Sequence, residues 1–250
     1  MPTMNDALRA TLRGASEDQV LTTITRSVLF DPKFRGFQVE VEPWTPRPYD
    51  GKFHPSTHAT WTARQLYYYL KVPNLLEVEQ MSLTSVLAIT QGKFFHDFLQ
   101  RLWLRHGVLQ VSELLLNDEM HNRTGHMDGL LITQEGLEIK TMNDFKLPKM
   151  TDAEALRELK PEYYAQAQEY LDMSELTQMR YFIIGTSYPY PMREFVVPFD
   201  EPFQIAQRQK YREALDMAAG DQAPPVCCKI RSATASSCVA RRACEIGRAS

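Results

Sequence analysis

Between Thr124 and Asp144 the chain reads TGHMDGLLITQEGLEIKTMND. Two strand-length runs of mostly apolar residues flank the turn TQEG, the pattern of a half-buried β-hairpin. Such a hairpin needs a core beneath one face, which commits the chain to a sheet packed against other elements. Yet Asp128 interrupts the first run, and Glu138 and Lys140 interrupt the second. Side chains on a strand alternate between faces. Glu138 and Lys140 therefore share one face of LEIKT, and Leu137 and Ile139 share the other. Antiparallel pairing across the turn would bring Asp128 close to Glu138, because cross-strand neighbours lie ~5 Å apart. Two carboxylates at that distance repel unless a positive charge lies between them. A hard divalent cation is the natural occupant, since Mg²⁺ is commonly held by one or two carboxylates with water and phosphate oxygens. Lys140 would then point at the water or phosphate beside the cation. Glu-Ile-Lys alone is what the solvated face of many hairpins shows. The acid inside HMDGLLI sets this one apart.

The rest of the chain supplies the other layers. Residues 1–20 read as a polar helix or a mobile arm. Residues 30–60 are rich in Pro, Gly and aromatics, with one short strand expected at Phe37–Val41. STHATWTARQLYYYLKV reads as a helix with Ser/Thr caps. SLTSVLAITQGKFFHDFLQRLWLRHG has apolar residues at helical spacing and Gly107 as its C-cap. Strands are expected at 108–116, 127–133 and 136–142. A helix follows over TDAEALRELKPEYYAQAQEYLDMS, with Pro161 at a helix start or break. Two strands, MRYFIIGTSYP and MREFVVPF, precede a last helix after Asp200. This order predicts an α/β protein with a central mixed sheet flanked by helices. The expected division is an N-terminal arm and irregular segment at 1–60, a core at 61–220 and a Cys-containing basic element at 221–250.

Charge and apolar content narrow the class. The net charge of −3 gives no global positive field for coating nucleic acid. That leaves room for an enzyme that grips phosphates locally. No run approaches the roughly 20 apolar residues of a membrane span, and the N-terminus lacks a secretory pattern. A cytoplasmic protein is expected.

Asp128 followed by Glu138-Ile139-Lys140 resembles the core of the PD-(D/E)XK nucleases, specifically the RecB-like exonuclease branch that includes CRISPR-associated and phage-encoded members. GKFFHDFL resembles that branch's Gly-x-x-x-His helix, and GHMDGLL its Gly-x-x-Asp strand, with Met127 where some members have Pro. QAQEY resembles its Gln-x-x-x-Tyr motif. The resemblance covers about residues 60–200. It implies a restriction-endonuclease-like core. His96, Asp128, Glu138 and the carbonyl of Ile139 would hold one or two Mg²⁺ or Mn²⁺ ions. Asp128, Glu138 and Lys140 would be catalytic, with Gln166 and Tyr170 at the DNA. The implied activity is metal-dependent DNA hydrolysis, as an exonuclease on ends or single strands in recombination, repair or phage DNA metabolism. A recombination or replication protein partner would fit that setting. A structure-specific or restriction-like endonuclease, and a catalytically silent DNA-binding or scaffold subunit, are the alternatives. Glu113 reads as a solvent-facing strand residue, and Tyr67, Tyr68 and Tyr69 as partly core or as bases' stacking partners.

All four cysteines, Cys227, Cys228, Cys238 and Cys244, lie near the C-terminus. In a cytosolic chain such clustering points to metal rather than disulfides. CVARRAC resembles the closely spaced final cysteine pair of the branch's iron–sulfur element. The upstream cysteine of iron–sulfur members has no counterpart in WTARQLYYYL, and adjacent cysteines are awkward ligands for one cluster. A [4Fe–4S] cluster, a zinc site and no metal all stay open. Lys229, Arg231, Arg241, Arg242 and Arg248 stand against Glu245 in this tail. Arg241 and Arg242 are thereby candidates for gripping a phosphate backbone.

Overall fold

The computed structural model describes residues 19–41, 45, 47–77, 81–143, 145–220, 222–229 and 232–249, the last three without their side chains. The expected N-terminal arm lies outside these residues apart from its last two, as do Arg231 and the Arg248 side chain. The described residues form two compact units. Among them, the first comprises 19–41, 45, 83–116, 126–143 and 145–199, and the second 47–77, 81–82, 117–125, 200–220, 222–229 and 232–249.

The first unit is built on a five-stranded sheet in the order β1-β2-β3-β4-β5. The strands are β1 (Leu109–Asp118), β2 (Arg123–Leu131), β3 (Gly136–Met142), β4 (Gln178–Gly185) and β5 (Met192–Pro198). β2 and β3 pair antiparallel with Gly129 opposite Leu137, β3 and β4 pair parallel, and β4 and β5 pair antiparallel. The sheet is therefore mixed. The parallel step is where the chain must cross over, and helices α5 (Ala153–Leu159) and α6 (Pro161–Ser174) lie in that crossover. Pro161 ends one helix and opens the next. It has no N–H to lose at the first helical position.

Alternation along β3 sorts its side chains as the sequence pattern requires. Leu137 and Ile139 are fully buried in a core with Leu99, Leu102, Trp103, Phe182 and Ile184. Helices α1 (Val20–Leu29) and α4 (Leu83–Arg105) supply the cover. Fully burying each aliphatic side chain stabilises by about 1.5–3 kcal/mol, which helps to offset the charged residues that the same strand buries on its other face. Gly107 ends α4 at φ 68°, and Val108 N–H reaches back to Trp103 O at 2.9 Å. This is a glycine C-cap, as expected.

Phe37–Val41 is not a strand. Those residues form no ladder. Gly36 turns the chain at φ 68°, and the Phe37 ring packs on Phe98 at 5.1 Å between centroids. Ring burial there replaces strand pairing. The helix expected over residues 56–72 is two helices, α2 (Pro55–His58) and α3 (Ala63–Lys71). Thr62 is extended and caps α3 in a capping box with Gln65, which requires a break before it.

The second unit holds α2, α3, the tip of the β1–β2 hairpin, α7 (Glu201–Ala219), α8 (Ala233–Ser236) and α9 (Arg241–Ala249). Phe53, Leu66, Tyr211 and Ala214 form one core, and Tyr67, Tyr68, Ala240 and Ala243 another. Tyr67 and Tyr68 are thus core residues. No helix among the described residues is long and apolar enough to cross a membrane.

Candidate functional site

The polar face of β3 carries the chemistry. Glu138 is 1% exposed, and Asp128 lies one residue beyond the pair that joins Gly129 to Leu137. Asp128 Oδ2 accepts a 2.6 Å hydrogen bond from Ile139 N–H, which ties the β2 acid to the β3 backbone. Lys140 Nζ stands 2.6 Å from Glu138 Oε1. Gln166 on α6 accepts from Lys140 Nζ at 3.1 Å and donates to Glu138 Oε1 at 3.0 Å. Its amide also donates to Tyr170 OH at 3.3 Å. Gln166 and Tyr170, expected at the DNA, are both buried. Here Gln166 holds the acid and the amine in register.

His96 comes from α4, with Nδ1 3.4 Å from Asp128 Oδ1. One turn earlier Gly92 lets this helix approach β3. A methyl added at Gly92 would stand 3.3 Å from Thr141 Oγ1. Gly129 serves the strands in the same way. A Cβ there would meet Val111 O at 2.8 Å and Leu109 Cδ1 at 2.5 Å. The first contact is with backbone, which cannot rotate away. Gly129→Ala is therefore expected to push β1 from β2 beside Asp128 and to lower the melting temperature by several degrees, measured by thermal denaturation against wild type. An unchanged melting temperature would show that the strands separate freely.

Electrostatics follow from burial. Burial pushes the Glu138 carboxyl up, and the neighbouring Asp128 charge pushes it further, to about 7 despite Lys140. Burial opposes ionisation of Asp128 as well, but His96, Lys140 and the Ile139 N–H outweigh it and hold its pKa low. Burial works against charge on His96 and Lys140, and the two acids overcome this and raise both. Glu138 Oε2 is buried with no hydrogen-bond partner among the described residues. A buried acceptor left in this way costs ~1–3 kcal/mol unless something binds it.

Two residues outside the expected site extend it. Gln100, one turn along α4 from His96, donates to Asp128 O at 2.8 Å and to Glu113 Oε1 at 2.7 Å. Glu113 is exposed on β1, as expected, but its backbone has φ 52°. A non-glycine residue there is strained. A buried Gln between Leu99 and Leu102 on an otherwise apolar helix face was the available signal.

Among the described residues no three His, Cys, Asp or Glu side chains already form a cage for a single metal ion. The Lys140 ammonium instead sits against Glu138. The residues nonetheless fit a divalent cation. Two buried carboxylates face each other, one with an orphaned oxygen, beside an imidazole. His96, Asp128 and Glu138 are the side chains brought together there.

In the second unit the four cysteines, all free thiols, line a cavity of about 320 Å³. Three are hydrogen-bonded by consecutive polar positions of the α3 start: Thr62 Oγ1 to Cys227 at 3.7 Å, Arg64 Nε to Cys244 at 3.3 Å and Gln65 Nε2 to Cys238 at 3.5 Å. Arg241 lines the same cavity and pairs with Glu77 at 3.4 Å. Arg242 is exposed.

A mixed five-stranded sheet flanked by helices, with an acid on each arm of its hairpin and an amine beside them, makes this an α/β protein with a central mixed sheet. Its structural neighbours include the alkaline exonuclease LHK-Exo from Laribacter hongkongensis, at 15% identity with a TM-score of 0.48 over 68% of this chain and 89% of that one. LHK-Exo in complex with dAMP gives a TM-score of 0.49 at 15% identity over 69% and 90%. A phage-related exonuclease from Haemophilus somnus 129PT gives 0.41 at 12% identity over 63% and 79%. No family model and no curated protein matches the sequence.

Proposed function

We propose that this chain is a Mg²⁺- or Mn²⁺-dependent deoxyribonuclease of the RecB-like PD-(D/E)XK kind, an exonuclease acting on DNA ends or single strands in recombination, repair or phage DNA metabolism. The observation that carries it is the buried Glu138 Oε2, without a partner, in a carboxylate pair flanked by His96 and Lys140. That arrangement is costly for a structural ion pair and suited to receiving a cation. A bound divalent cation supplies a water of lowered pKa and neutralises phosphate charge. His96, Asp128, Glu138 and the Ile139 carbonyl would hold it. Lys140 would orient the attacking water and stabilise charge on the phosphate. Gln166 keeps the Lys140 ammonium from leaving Glu138, and Gln100 fixes the Asp128 backbone.

Incubating purified protein with labelled linear DNA tests this directly. Cleavage is expected with Mg²⁺ or Mn²⁺ and none with excess EDTA. A circular single strand is expected to stay intact, whereas its cleavage would identify an endonuclease. No cleavage under any metal would leave a silent DNA-binding subunit. We infer an iron–sulfur cluster ahead of zinc for the thiol cavity, from the likeness of CVARRAC to the final cysteine pair of the branch's iron–sulfur element. Iron and sulfide analysis of the same preparation distinguishes the two.

A further inference from the structure

The chain leaving β3 and the start of α6 enclose a cleft of about 450 Å³. Thr141, Asn143, Phe145 and Lys146 line it from one side of the sequence, and Lys160 and Tyr163 from the other. The Phe145 ring is 90% exposed. A single exposed ring is ordinary. This one stands at the mouth of a cleft that carries two lysines. Tyr163 joins the cleft to the candidate catalytic centre. Lys140 Nζ lies 4.9 Å from its ring centroid and Lys160 Nζ 5.0 Å. Lys160 also pairs with the half-exposed Glu162 at 2.9 Å, a solvent-screened contact that leaves its ammonium available for exchange.

We propose that this cleft is a subsite for single-stranded DNA, taking the nucleotide next to the cleaved bond. A base stacks on Phe145, and its backbone phosphate lies against Lys146 and Lys160. The proposal rests on the nuclease reading and names its substrate class. An aromatic face beside ammonium groups is the chemistry that binds unpaired strands, because every base has a face to stack while the charges follow the backbone. A paired base inside a duplex cannot reach such a ring without being unstacked. The strand entering the cleft is therefore single, whether free or peeled from an end.

Binding in EDTA tests this without hydrolysis. Fluorescence anisotropy compares a short labelled oligothymidylate with an abasic oligomer of equal length. Wild type is expected to prefer the oligothymidylate. Phe145→Ala is expected to weaken it roughly 5- to 100-fold while leaving the abasic oligomer unchanged, the range for loss of one stacked base. The ring is in solvent, so the fold does not depend on it. Lys146→Ala with Lys160→Ala is expected to weaken both ligands and to flatten the salt dependence. Equal binding of the two ligands by wild type, or undiminished oligothymidylate binding by Phe145→Ala, overturns the proposal. Absence of cleavage in Mg²⁺ and Mn²⁺ with this binding pattern intact would instead overturn the nuclease reading alone.

Discussion

Replacing Glu138 by glutamine is expected to abolish metal-dependent DNA cleavage and, in EDTA at pH 8, to make the protein more stable. The two effects share one cause. Glutamine keeps an acceptor for Lys140 and Gln166 but removes the charge that faces Asp128. Activity should fall on the order of 10³-fold or more, as when a group that organises transition-state charge is lost. Stability follows from linkage. The Glu138 carboxyl rises from its ordinary 4.5 to about 7 in the folded, metal-free protein. Between those values the folded state binds the proton more tightly than the unfolded state does. The resulting stabilisation is complete below the lower value and is lost as pH rises through the higher one. Each unit corresponds to about 1.4 kcal/mol, so ionising Glu138 costs up to about 3 kcal/mol at pH 8, with Lys140 already counted. Thermal melts at pH 5 and pH 8 should show wild type losing more stability between them than Glu138→Gln does. A variant that still cuts DNA, or that melts below wild type at pH 8, would make Glu138 an ordinary structural partner of Lys140.

The sheet was legible because alternation is a local property. Leu137 and Ile139 announced the core face of β3, and Glu138 and Lys140 the other, before any neighbour was known. The closeness of Asp128 to Glu138 followed from hairpin register alone. The gap in the 56–72 helix was written in Thr62 and Gln65, but helical periodicity on both sides masked the cap. Phe37–Val41 had strand composition, and only the position of Phe98 made packing better than pairing. Gln100 and Glu113 were harder. Their link to Asp128 joins a helix face to two strands, and no spacing along the chain reports which helical residue will meet which strand. The polar residues of α3 that hydrogen-bond the cysteines were silent for the same reason. Thr62, Arg64 and Gln65 read as a helix start, and their partners lie more than 160 residues away.

A second buried charge network had no sequence signature at all, and its disruption should be the most destabilising single change away from the site. Arg180 on β4 is 6% exposed. Its Nε donates to Glu135 Oε2 at 2.8 Å, one terminal nitrogen to Glu135 Oε1 at 2.9 Å, and the other to Glu194 Oε1 at 3.1 Å. Glu194 on β5 also accepts from Leu21 N and Thr22 N at 3.0 and 2.9 Å, which anchors the first turn of α1 to the sheet. The guanidinium thus neutralises two buried acids, one of which holds a helix. Burial already pushes the Glu194 carboxyl up, with Arg180 and the α1 N–H groups pulling the other way. Arg180→Met fills similar volume but strands both carboxylates. Breaking a buried pair from one side costs about 3–5 kcal/mol, which for a chain of this size lowers the melting temperature by roughly 10 °C. Without Arg180 the Glu194 carboxyl rises further, so its protonation should shrink the deficit as pH falls from 8 to 5. Adding Glu135→Gln to Arg180→Met should restore part of the loss by removing one stranded charge. Restoration stays partial because Glu194 must remain to bind Leu21 and Thr22. Differential scanning calorimetry of the single and double variants at both pH values measures each step. A single variant melting within about 2 °C of wild type would mean that water, not Arg180, compensates these acids.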